Sequence, residues 1–132
     1  MTVTPIYSSV TLVRFLIVPA LDPLTTRTIH WIEAPPTAVR PFIVIQPQDQ
    51  GGISVPRLGS LGWSGLITVK ALADTLGAAE ALFAAVAPGM DAMTAPVSYD
   101  LSVRFVRPLA LGPDDGNVWQ YGGIWEVTLE RE

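Results

Sequence analysis

Apolar residues along this 132-residue chain change their period several times, and each change marks an element. Val10, Leu12, Val13, Leu16 and Ile17 recur at helical spacing after Ser8 or Ser9, either of which can cap a helix running to about Val18. Pro19 and Pro23 then stop it, with Leu21-Asp22-Pro23-Leu24 as the turn. Over Thr28–Glu33 the period falls to two, with Ile29 and Trp31 alternating against Thr28, His30 and Ile32; Pro35-Pro36 ends this half-buried strand. Phe42 to Ile45 are apolar without a break and mostly β-branched, the pattern of a strand covered on both faces. Gly65–Ala73 alternates again, Ile67, Val69 and Ala71 on one side and Leu66, Thr68, Lys70 and Leu72 on the other. Asp74-Thr75 offers capping oxygens for a helix over Gly77–Ala87, which presents Ala78, Ala81, Leu82, Ala85 and Val86 on one face and closes at Pro88-Gly89.

The last third predicts a long hairpin. Tyr99, Leu101, Val103 and Phe105 point inward along a strand over Tyr99–Arg107, and Pro108–Asn117 makes a polar turn. In Val118–Arg131, Trp119, Tyr121, Trp125, Val127 and Leu129 share a face, and Gly122-Gly123 is expected to mark a bulge or bend. The fold class is α+β: one domain over residues 1–132, a single mixed, mainly antiparallel sheet with two helices packed on one face, and the order α-β-β-(arm)-β-α-β-β.

The arm is Pro47–Gly62, sixteen residues with four glycines and two prolines. Connections of that length in compact domains are usually functional or disordered. Ile53, Val55 and Leu58 are more than a flexible linker needs, so the segment reads as an extended arm or hairpin docking on another subunit, with a locally packed or disordered loop as the alternative. Arg57 is a candidate anchor in that contact, and Trp63, where the arm rejoins the sheet, is either core or interface.

Composition sharpens this picture. The chain is 49% apolar but only 15% charged, against an average near 25%, which suits a subunit with surface hidden in an assembly. A spanning helix needs about 18 apolar residues, and the best run, Val10–Leu21, contains Arg14 and Pro19, so no membrane is expected. The net charge of −4 argues against wrapping nucleic acid. Without cysteine there is no disulfide frame and no thiolate site, and the N-terminus has neither the basic nor the apolar region of an export signal.

Reaction chemistry is hard to assemble from these residues. His30 is the sole histidine, with no carboxylate or nucleophile spaced to serve it, and it reads as structural. Asp114-Asp115-Gly116 lacks the spacing of a calcium loop. The glycine-rich Gly59–Gly65 leads into a strand with no lysine after it, so it is neither a phosphate cradle nor a nucleophile elbow. No catalytic residue, metal site or cofactor is expected.

Two stretches carry a family resemblance: Arg40-Pro41-Phe42-Ile43-Val44-Ile45-Gln46 before a glycine-bearing loop, and Leu66-Ile67-Thr68-Val69-Lys70-Ala71-Leu72-Ala73-Asp74 running into Thr75–Val86. With the element order, they resemble the tail terminator (tail completion, tail-to-head joining) proteins of long-tailed bacteriophages. The first helix and the terminal hairpin match in order and length more than in residues, and Pro19, Pro23, Pro35 and Pro36 make the front half stiffer than the family pattern.

The resemblance implies a virion structural protein of the tail or neck, assembled in the host cytoplasm. It implies a homo-oligomeric ring, usually a hexamer, that caps the tail tube protein, joins a head-completion or connector protein, and lets DNA through without specific binding. A lumen that repels phosphate needs acids facing it, and Asp49, Asp114 and Asp115 are the candidates. Two alternatives stay open: another phage neck or tube part, and a small α+β ligand-binding or cofactor-independent enzyme subunit with a pocket lined by Trp31, His30 or Tyr121.

Overall fold

The computed structural model describes residues 9–49, 63–95, 99–113 and 116–131. In chain order they form α1 (Ser9–Leu21), a 3-10 turn (Asp22–Leu24), β1 (Ile29–Trp31), β2 (Phe42–Asp49), β3 (Trp63–Ala73), α2 (Leu76–Asp91), β4 (Tyr99–Leu111) and β5 (Trp119–Arg131). The five strands make one sheet in the order β1-β2-β3-β5-β4. Only β1 and β2 are parallel; every other pair is antiparallel. The expected α+β class and element order are therefore what the chain adopts.

Both helices lie over one face of the sheet. Ile67, Val69, Ala71 and Ala73 of β3 and Trp125, Val127 and Leu129 of β5 point into this layer, where they meet Ala79, Phe83, Val86 and Met90 of α2 and Ile17 and Leu21 of α1. On β2, Phe42 to Ile45 are all buried, as a doubly covered strand requires. The other face carries Leu66, Thr68, Lys70 and Leu72, all half-buried.

Both helices run past the prolines expected to end them. α1 continues through Pro19 to Leu21, and α2 through Pro88 to Asp91. A proline inside a helix loses one backbone hydrogen bond; here the turns beyond it are held by fully buried Leu21 and Met90. Gly89 is a packing gap and not a stop: a Cβ there would stand 2.9 Å from the Ala20 carbonyl oxygen and from Leu24 Cδ1. The bare α-carbon lets the end of α1 sit down on α2. The buried face of α2 also differs from the expected one. It is Ala79, Phe83, Val86, Gly89 and Met90, while Ala78, Ala81 and Ala85 are exposed. In an alanine-rich helix small residues fill both faces, and the single large aromatic, Phe83, fixes the rotation. Thr75 caps α2 as expected, its hydroxyl accepting from the Ala78 N–H at 3.1 Å.

The hairpin corrects two further expectations. β4 extends four residues beyond Arg107, to Leu111, and Phe105, though it shares the helix-side face with its partner Trp125, is left 48% exposed. The irregularity lies on β4, between Phe105 and Arg107, whereas β5 pairs without a break through Gly122-Gly123. Those glycines serve close approach. A Cβ on Gly122 would collide with the Val69 carbonyl oxygen, and one on Gly123 would meet the rings of Phe105 and Phe83. β1 is also shorter than Thr28–Glu33, because Ile32 turns out of the strand at φ 75°.

Candidate assembly surface

The sequence places its candidate contact residues around the β2–β3 connection, and the sheet shows how that connection is rooted. β2 and β3 pair from Phe42↔Leu72 to Asp49↔Gly65, so residues 50–62 leave and re-enter the sheet on adjacent antiparallel strands. The connection is thus shorter than Pro47–Gly62, since Pro47 to Asp49 belong to β2. Pro47 is compatible with that strand because β1 reaches only to Ile45 on its other side, leaving Pro47 at an edge. Ile53, Val55, Arg57 and Leu58 lie outside the described residues, as do Asp114 and Asp115. Trp63 opens β3 opposite Leu129, and Asp49 closes β2; only their backbone is described.

Residues proposed for a small-molecule pocket are not brought together. His30 pairs with Val44, and its ring meets Phe42 edge-on at 5.2 Å on the face away from the helices. Trp31, next in the strand, turns to the helix side and packs half-buried against the core. Tyr121 stacks edge-on to Phe83 at 5.4 Å, also under the helices. Trp125 is core as expected, and Trp119 is half-buried. An open groove of about 500 Å³ does exist, between α2 and the start of β1, but Pro23, Leu24, Thr25, Arg27, Ala81 and Leu82 among its lining bring no acid to face the one cation. Among the described residues no group of histidines and carboxylates could hold a metal ion. No helix among them is long and apolar enough to cross a membrane.

The surface is instead marked by exposed apolar side chains that the sequence pattern did not place there. Phe105, Val106 and Leu111 of β4 are 48%, 43% and 51% exposed, Ile32 at the end of β1 is 50% exposed, and Val39 in the β1–β2 connection is 80% exposed. Two exposed ion pairs brace the frame. Arg40 Nε donates to Asp74 Oδ1 at 2.7 Å, tying the β1–β2 connection to the entry of α2, and Arg104 Nη2 to Glu126 Oε2 at 3.1 Å across β4 and β5. Each is worth at most about 1 kcal/mol at such exposure. Lys70, the only lysine, sits half-buried in the middle of the sheet face away from the helices, where desolvation holds its ammonium pKa below 10.5.

No protein-family model and no curated protein matches this chain. Among solved structures it is similar to a chain of the "Virion of native gene transfer agent (GTA) particle", with a TM-score of 0.59 and 15% identity over 92% of both chains. At that identity the likeness is one of fold, and it extends over nearly the whole of each chain.

Proposed function

We propose that this chain is a structural subunit of a phage-like virion, and within it a tail terminator: a ring, most simply a hexamer, that caps the tail tube and joins it to the head connector around the DNA conduit. The observation that carries the reading is the fold shared over 92% of both chains with a component of a gene transfer agent virion. The low charged fraction, the apolar side chains exposed at the sheet edges and the rooting of residues 50–62 in a regular hairpin support it. Catalysis has no part in this role. The partners are further copies of the chain, the tube protein and a head-completion protein, and the place is the tail or neck of the particle.

The test is the mass of the purified protein across a concentration series, by native mass spectrometry, with and without tail tubes. A closed species near six subunits, or monomers that close into rings when concentrated or given tubes, is the expected result. An open polymer or another ring size points to a different neck or tube part. A monomer or dimer indifferent to both concentration and tubes overturns the reading. Deleting Gly51–Gly59 should abolish the ring and leave a folded domain; rings that survive the deletion remove residues 50–62 from the contact.

A further inference from the structure

We propose that neighbouring copies meet through the two edges of the sheet, the distal half of β4 in one copy lying against the β1 edge of the next. This rests on the ring reading and states where the ring is held. Strand order makes β4 and β1 the edges, with no further strand beyond either among the described residues. Four of the seven large apolar side chains exposed among those residues lie on these edge strands or directly at their ends: Phe105, Val106 and Leu111 on one side, Ile32 on the other. Apolar exposure concentrated in this way marks a contact surface.

The edges offer one pair of opposite charges. No acid occurs between Leu101 and Pro113, and Arg107 is exposed with no ion pair among the described residues. At the end of β1, Glu33 is also exposed with no ion pair among the described residues. Strand sense agrees. β1 runs with β2 and, through two antiparallel steps, with β5, so β4 runs opposite to β1. Rotation about an axis close to the strand direction keeps each strand's sense, so β4 of one copy approaches β1 of the next antiparallel. In that arrangement Arg107 of one copy faces Glu33 of the next across the contact.

Two features restrict the contact to one partner. The irregularity at Val106 and the missing N–H of Pro108 interrupt any long ladder on β4, as edge strands that resist indiscriminate pairing do. Ile32 is a β-branched residue in the left-handed region, a conformation that is strained. Two hydrogen bonds hold it there: its N–H donates to the Ile45 carbonyl at 2.8 Å, and its own carbonyl accepts from Gln46 Nε2 at 3.0 Å. The result is a half-exposed isoleucine fixed at the corner of the β1 edge.

The experiment reverses Arg107→Glu and Glu33→Arg, singly and together, and reads self-association by native mass spectrometry and sedimentation, with circular dichroism to verify the fold. Each single reversal should weaken association at least about tenfold and the double variant should recover most of that loss, the behaviour of directly paired charges. Single reversals that leave assembly unchanged, or a double variant no better than the singles, overturn the edge contact while the ring reading stands. A wild-type chain that stays monomeric at every concentration, with and without tubes, overturns the ring reading itself.

Discussion

β4 and β5 are the same length, thirteen residues each, and are partners in one hairpin, yet they behave as different materials. β5 buries four consecutive residues, Gly122 to Trp125, and then Val127 and Leu129; β4 buries none. Leu101 and Val103 lie opposite Leu129 and Val127 on the same face of the sheet, so alternation alone would class both strands as half-buried. The difference is position. β5 is flanked by β3 and β4, whereas β4 has one neighbour and reaches past the cover of the helices. Burial in this sheet follows the number of neighbouring strands more than the hydrophobicity of the strand itself.

The comparison breaks most severely at Trp125. It is 2% exposed and meets Phe83 and Phe105, so Trp125→Ala should lower the unfolding free energy by about 3–5 kcal/mol in urea denaturation. Trp125→Phe should be much milder, because it keeps most of the ring and the indole N–H makes no hydrogen bond among the described residues. Next comes Gly122→Ala, whose new Cβ would press on the β3 backbone and force the central strands apart; a loss of about 2–3 kcal/mol is expected, read as a drop in melting temperature. On β4, Phe105→Ala removes a half-exposed ring that leans edge-on against Trp125 at 5.2 Å, and should cost about 1 kcal/mol by the same measurement.

The smallest effect is at Lys70. Its folded pKa is lowered by burial, so the unfolded chain binds the proton more tightly, and stability should rise with pH between the lowered value and 10.5. Lys70→Met should flatten that rise and change stability at neutral pH by no more than about 1 kcal/mol, in the stabilising direction. Urea titrations of both proteins across that alkaline range check the slope.

The order of elements was legible because its signals are local. Thr75 caps where a threonine before an alanine-rich run should, and four unbroken apolar residues, Phe42 to Ile45, are buried on both faces. Expectations failed where the deciding partner is remote in sequence. Pro19 and Pro88 did not stop their helices, because Leu21 and Met90 beyond them are buried in the core. Gly122-Gly123 looked like a bend, but the need for glycine comes from the backbone of β3 about fifty residues earlier and from rings on α2 and β4. Alternation put Phe105 on the helix-side face, where it meets Trp125, but nothing in the local pattern reveals that its strand is an edge and leaves the ring half-exposed. The exposed residues on both edges were missed for the same reason, although Arg104, Arg107 and Pro108 along β4 were an available sign.

The seam between β3 and β5 has a consequence for how the chain finds its fold. β2–β3 and β4–β5 are hairpins closed by connections local in sequence, whereas β3 meets β5 across α2, with pairs such as Ala73↔Trp119 and Trp63↔Leu129. Closing long loops carries most of the entropic penalty in folding, and slow folders are those whose contacts lie far apart in sequence. Here that penalty falls largely on one seam, where the two hairpins meet along a single line. Substitutions on that line, at Thr68 or Ile124, should slow folding, while equivalent changes at the outer edges should mainly hasten unfolding.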